Sequence, residues 1–114
     1  MASALLQAVE PVDIDTGKFK YILIKVEEGD DSKFIVRGYS WAEWHNNIYD
    51  KVAPELEGQG LKCSCVGGGK IKHSSEDKTI LVFGESTGFG KADHSVSVNV
   101  IKSKYNDYDV KIDE

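Results

Sequence analysis

Ser40-Trp41-Ala42-Glu43-Trp44-His45 is where the chain changes period, from the alternation of a strand to the spacing of an amphipathic helix. Ser40 and Glu43 stand at capping-box spacing, the serine side chain meeting the amide three residues on and the glutamate reaching back. Counted from that cap at about 100° per residue, Trp41, Trp44, His45, Ile48 and Val52 fall in one stripe, with His45 near its middle. The stripe should face the body of the protein and carry the imidazole with it. Burial there disfavours imidazolium, and the positive end of the helix acts in the same direction. A neutral ring at pH 7 can take a proton or attack phosphorus. The same placement also suits a core histidine satisfied by one hydrogen bond, so the rest of the chain has to separate the two readings.

Upstream, Phe19 to Val26 is rich in β-branched and aromatic residues and alternates, with Lys20, Ile22, Ile24 and Val26 on one side and Tyr21, Leu23 and Lys25 on the other. Glu27 to Lys33 is a polar turn, and Phe34 to Tyr39 is a second strand leading into the Ser40 cap. Downstream, Pro54 predicts that the helix ends, kinks or restarts before Gly58-Gln59-Gly60. Leu61 to Val66 and Lys70 to His73 form one strand interrupted at Gly67-Gly68-Gly69, where glycine permits a bulge or a close backbone approach. Thr79 to Phe83 is the clearest strand, and Asp109 to Ile112 a short last one. Between them Ser95 to Val100 alternates as a strand would. Asp93 could instead cap a helix whose Val96, Val100 and Ile101 share a face, and pattern alone leans slightly to strand. Residues 1 to 11 hold no sustained period and are expected to be a loose terminus.

At 114 residues the chain suffices for one domain with a modest core. Its 40% hydrophobic and 29% charged content, with two Trp, four Phe and five Tyr, places it among globular proteins. A net charge of −5 argues against nucleic acid or an anionic membrane as partner, so any bound anion needs a local cationic site. The longest apolar run, Tyr21 to Val26, is broken by Lys25 and too short for a membrane span, and Ala4-Leu5-Leu6 lacks the basic start of a signal peptide. A cytoplasmic location is expected. Cys63 and Cys65 would lie side by side on one strand face as reduced thiols, and with His73 eight residues further on they do not match zinc-ligand spacing. No metal and no cofactor are expected.

Six of the eleven glycines fall in two clusters, Gly67 to Gly69 and Gly84 to Gly90. The second leaves the strongest strand and precedes a possible helix start, the position at which consecutive amides cradle an anion, although either cluster also suits a plain tight turn. It is no nucleotide P-loop, because five residues separate Gly84 from Gly90-Lys91 and Ala92 follows. Gly84-Glu85-Ser86-Thr87-Gly88 does fit the Gly-x-Ser-x-Gly elbow of serine hydrolases, with His94 downstream, but 114 residues cannot build the sheet that strains that elbow. Lys20, Arg37 and Lys70 lie in or beside predicted strands, where a rigid scaffold could hold cations around a phosphate.

These islands together resemble the protein histidine phosphatase, or janus, family. Phe19-Lys20-Tyr21, Val36-Arg37-Gly38-Tyr39, Trp41-Ala42-Glu43, His45, Ile48-Tyr49-Asp50-Lys51-Val52, Cys63, Cys65, Gly67-Gly68-Gly69, His73, Ser86, Gly90, His94 and Lys104-Tyr105 recur in that order, from about Val12 to Val110. The resemblance implies an α/β fold, one small monomeric domain with a mixed twisted sheet of about six strands between two main helices, and makes Asp93 to Tyr105 helical. It implies metal-independent hydrolysis of phosphohistidine in proteins, with phospholysine a further candidate substrate. Catalysis falls on His45 as base or nucleophile. Phosphate binding falls on Lys20 and on Ser86, Thr87 and Gly88, with Arg37 and Lys70 lining the same pocket and His94 a possible auxiliary. Lys70 stands where vertebrate members have arginine, which removes a bidentate contact, and Asn46 replaces a small apolar residue; altered affinity is expected rather than lost activity. The competing reading is a phosphoprotein-binding module that holds phosphate without turning it over.

Overall fold

Six strands make one mixed sheet in the order β1-β3-β2-β4-β5-β6, in a computed structural model that describes residues 4–113. In chain order the elements are α1 (Ala4–Ala8), β1 (Val12–Ile14), β2 (Gly17–Glu28), β3 (Asp31–Tyr39), α2 (His45–Glu57), β4 (Lys62–Ser74), β5 (Thr79–Phe83), α3 (His94–Lys104) and β6 (Asp109–Ile112). β1 runs parallel to β3 and β6 parallel to β5, while β2 is antiparallel to both of its neighbours.

The handedness of the two crossovers decides where the helices lie. β3 and β4 run in one sense, β5 and β6 in the other, and both crossovers step the same way across the sheet. A right-handed connection therefore sends α2 to one face and α3 to the opposite one. Alternation along β2 supplies both cores. Ile22, Ile24 and Val26 pack under α2 with Ile35, Ile48, Val52 and Leu56, while Phe19, Tyr21 and Leu23 pack under α3 with Ile71, Val98 and Ile101. Lys20 thereby lies on the α2 face.

Four expectations change. Helix α2 starts at His45 rather than after Ser40, because the Ser40 N–H and Oγ both donate to the Asp15 carboxylate, at 2.7 and 3.0 Å, leaving no serine cap for a helix. Asn47 does the capping instead, its Oδ1 accepting from the Trp44 amide at 2.8 Å. Trp41 and Trp44, expected on the buried stripe, stand 54% and 62% exposed before the helix proper, and Trp41 stacks on Tyr39. His45, Ile48, Val52 and Leu56 form the actual buried row. Pro54 sits inside α2 without ending it; the next turn closes through Gly58 N–H to the Pro54 carbonyl at 2.9 Å. Asp93 to Tyr105, by contrast, is helical as the family resemblance implied, capped by the Asp93 carboxylate accepting from the Ser95 amide; only its alternation leaned to strand. Finally, residues 4 to 11, expected to be loose, include α1 and the approach to β1. Leu6 and Val9 are buried, and Lys33 and Arg37 donate to the carbonyls of Val9 and Glu10. Residues 1 to 3 of that expected terminus lie outside the described residues.

The glycine triplet lies in β4, next to a bulge where Leu23 opposes Gly67 and Ile24 opposes Cys65, leaving Val66 as the extra residue. Gly68 has to be glycine. A Cβ there would lie 2.8 Å from His45 Cδ2 and 2.8 Å from the Tyr21 carbonyl oxygen, with Ser86 Cβ at 3.1 Å. The helix histidine and the loop after β5 thus flank one thin point of the sheet.

Candidate active site

His45 is the first residue of α2 and is 8% exposed. Its Nε2 lies 2.9 Å from the Gly69 carbonyl oxygen. A carbonyl can only accept, so Nε2 carries the proton and, in the neutral ring, Nδ1 keeps its lone pair. Among the described residues Nδ1 has no hydrogen-bond partner, and it is not among the sealed polar atoms. Burial pushes the His45 pKa below the ordinary imidazole value; the Gly69 hydrogen bond opposes this in part, and the positive charges of Lys20 and Lys70 reinforce it. The first-turn position adds the helix dipole in the same direction. The ring is neutral at pH 7.

The cavity before His45 has a volume of about 550 Å³ and is open to solvent. Lys20 and Lys70 meet it from β2 and β4, where they are direct cross-strand partners. Ser86, Thr87 and Gly88 line it from the loop after β5, and Glu85, Phe89, Trp44 and Asn46 complete the lining. The loop is held by a two-way bridge, Ser86 N–H to the Gly90 carbonyl at 3.2 Å and Gly90 N–H to the Ser86 carbonyl at 2.8 Å, and Ser86 Oγ accepts from the Phe89 amide at 3.1 Å. The turn therefore projects the Thr87 and Gly88 amides without a partner among the described residues. Unpaired amides beside two ammonium groups are the chemistry that favours an anion.

Sequence reasoning named eight residues for this region, and six line the cavity: His45, Lys20, Lys70, Ser86, Thr87 and Gly88. Arg37 does not. It lies on β3 beneath the N-terminal segment, 6% exposed, with Nη1 and Nη2 donating to the carbonyls of Val36 and Glu10 at 3.0 and 2.7 Å. Its strand face points toward α2, as Lys20 does, but its fork is spent on docking the chain before β1. His94 also stands apart, on the α3 face, with Nε2 2.8 Å from the Gly84 carbonyl and Nδ1 2.7 Å from the Tyr21 hydroxyl. Both nitrogens are occupied, so His94 makes no hydrolase triad with Ser86. Trp44, Asn46, Glu85 and Phe89 are cavity residues that sequence reasoning did not place there; the position of Trp44 just before a buried histidine was the available signal. Cys63 and Cys65 are free thiols. Among the described residues no three His, Cys, Asp or Glu side chains gather as a metal site.

Fold and cavity define a small α/β domain that presents a neutral imidazole, two lysines and a loop of free amides to one open cavity. The chain belongs to the Janus/Ocnus family, whose model matches residues 6–109. It is 50% identical over 117 residues to the 14 kDa phosphohistidine phosphatase of Sus scrofa, covering 96% of this chain and 93% of that one. The 14 kDa phosphohistidine phosphatase of Homo sapiens is 49% identical over 118 residues, with 96% and 94% covered. The sex-regulated protein janus-A of Drosophila melanogaster is 39% identical over 116 residues, with 100% and 86% covered.

Proposed function

We propose that this protein is a protein phosphohistidine phosphatase, hydrolysing the P–N bond without a metal or cofactor. One observation carries the reading: Nε2 of His45 is committed to the Gly69 carbonyl, which leaves the Nδ1 lone pair for a cavity lined by Lys20, Lys70 and the 86–88 loop. The relatives named phosphohistidine phosphatase, similar over nearly the whole chain, support it.

Phosphohistidine hydrolysis forms a P–O bond to water and breaks the P–N bond, and the leaving imidazole departs easily once protonated. The protein's task is to hold the phosphoryl group and neutralise its oxygens. Lys20, Lys70, the Ser86 hydroxyl and the Thr87 and Gly88 amides do so. His45 Nδ1 is the reacting atom, as base toward water or as nucleophile toward phosphorus. Phosphohistidine proteins are the substrates and phospholysine proteins a second candidate class. A monomer built as one domain and working in the cytoplasm fits a charge of −5 and the lack, among the described residues, of a helix long and apolar enough to cross a membrane.

The test is phosphate release from a phosphohistidine peptide. Wild-type protein releases phosphate and folded His45→Ala does not. Binding without release by the wild type makes the protein a phosphoprotein-binding module, and normal release by His45→Ala removes His45 from the chemistry.

A further inference from the structure

Lys20 and Lys70 are not the only facing lysines. One step along the same strands, Lys18 of β2 is the direct partner of Lys72 of β4, so two successive cross-strand pairs are lysine on lysine. Residues i and i+2 share a face, and all four side chains therefore line the α2 side of the sheet. None of them is in an ion pair among the described residues, whereas Lys51, Lys78, Lys104 and Lys111 each meet a carboxylate. Like charges directly opposite each other destabilise a sheet. Two such pairs in a row, in a chain of net charge −5, are a cost that no carboxylate among the described residues offsets.

The surroundings show what the ladder faces. The core under α2 draws on no residue of β5 or β6, so that helix leaves the far half of this sheet face uncovered. There Phe83 and Leu81, the partners of Lys70 and Lys72 on β5, are half-buried, and Lys18 Nζ hangs 5.7 Å above the Phe83 ring. A second hollow of about 220 Å³, lined by Lys18, Phe19, Lys20 and Lys70, shares its two inner lysines with the cavity before His45. The surface is thus continuous with the candidate active site, cationic at its edges and apolar at its floor.

We propose that this lysine ladder docks an acidic segment of the phosphoprotein substrate beside its phosphohistidine. The inference rests on the phosphatase reading and adds a sequence preference to it. Lys18 and Lys72 stand about 7 Å along the strands from Lys20 and Lys70, the rise of two extended residues, so the favoured Asp or Glu lies two to three residues from the phosphohistidine. A long polyanion is a poorer occupant. The ladder is only two residue pairs long, and the rest of the acidic molecule repels such a chain.

The experiment compares phosphohistidine peptides carrying Glu at positions two and three on either side with the same peptides carrying Ser, for wild type and for Lys18→Glu/Lys72→Glu. Wild type should favour the acidic peptide about tenfold in kcat/KM at low salt, through KM, and lose the preference at high salt. The double variant should lose or reverse the preference while hydrolysing free phosphohistidine at the wild-type rate. Equal kcat/KM for both peptides with wild type overturns the docking proposal, as does a change of sedimentation in the double variant, which would make a second copy the occupant. Peptides bearing a non-hydrolysable phosphohistidine mimic, followed by fluorescence anisotropy, separate the two readings. Absent turnover with retained acidic preference in binding sinks the phosphatase reading and keeps the ladder; equal binding of both mimics sinks the ladder alone.

Discussion

His45 and His94 approach the same glycine stretch of β4 from opposite faces of the sheet, and each directs Nε2 at a backbone carbonyl. They differ at the other nitrogen. Nδ1 of His94 meets the Tyr21 hydroxyl, which also reaches Ser97 Oγ at 2.9 Å, and burial drives the Tyr21 pKa upward so that it stays a phenol. Nδ1 of His45 has no hydrogen-bond partner among the described residues, and its ring lines an open cavity that Lys20 and Lys70 also line. Burial alone does not separate them, at 3% and 8% exposure. A buried histidine with both nitrogens paired is a brace; one whose second nitrogen is unpaired beside an open cavity has a ring nitrogen free for chemistry, unlike His73, whose unpaired Nε2 is sealed.

The sharpest way to break this contrast is to remove each ring. His45→Ala should lower phosphohistidine hydrolysis by about 10²- to 10⁴-fold, the range of general base catalysis, and leave the thermal midpoint within a few degrees of wild type. His94→Ala should do the reverse. It takes the ring away from the buried Tyr21 hydroxyl and opens a void beneath α3, a loss of about 2–4 kcal/mol in urea unfolding, with turnover per folded molecule nearly intact. Equal activity losses in the two variants would erase the distinction.

Gly68→Ala probes the thin point itself. The new methyl group would press on His45 Cδ2, the Tyr21 carbonyl and Ser86 Cβ at once, prising the ring away from the loop. A loss of about tenfold or more in kcat/KM is expected, since small misplacements of a reacting group carry large penalties. Arg37→Met should change KM little and destabilise the fold by about 1–2 kcal/mol, because the lost hydrogen bonds secure the Val36 and Glu10 carbonyls. A large rise in KM would return Arg37 to the phosphate site.

Much of the site could be read from pattern because it is built on strand parity. Lys20 shares a face with Ile22 and Ile24, which identifies the α2 side, and Lys70 follows from the register of β2 with β4. Arg37 has that same parity and still misses the cavity, because its direction is set by carbonyls of the N-terminal segment, a contact spanning 27 positions that no local pattern announces. The helix start was misread for a similar reason. Ser40 is a good cap in isolation, but Asp15 takes its hydroxyl across 25 positions. That the helix nonetheless presents His45 inward follows from Ile48, Val52 and Leu56, which fix the buried row wherever the cap falls. Alternation in Ser95 to Val100 misled because Ser97 and Val98 are both buried in a helix packed on the sheet, Ser97 against Tyr21, so polarity no longer reports exposure.

The smallest effect concerns the proton. Burial first, and the two lysines with it, hold the His45 pKa below the ordinary value of 6.5, against the Gly69 hydrogen bond. Nδ1 therefore stays available as pH falls through 6.5, and the acidic limb of the rate profile should lie below that value. The stability sign is the same. The folded chain binds this proton more weakly than the unfolded one, so the contribution of the neutral ring is complete above pH 6.5 and is lost as pH falls below it. Lys20→Met or Lys70→Met should raise the His45 titration followed by NMR by a fraction of a pH unit without reaching 6.5, since burial remains the larger cause. His94→Gln should leave it unmoved, because that ring lies across the sheet from the cavity. A His45 midpoint well above 7 in the wild type would mean a cationic ring at neutral pH, a phosphate ligand in place of a base, and the contrast between the two histidines would rest on charge rather than on a free lone pair.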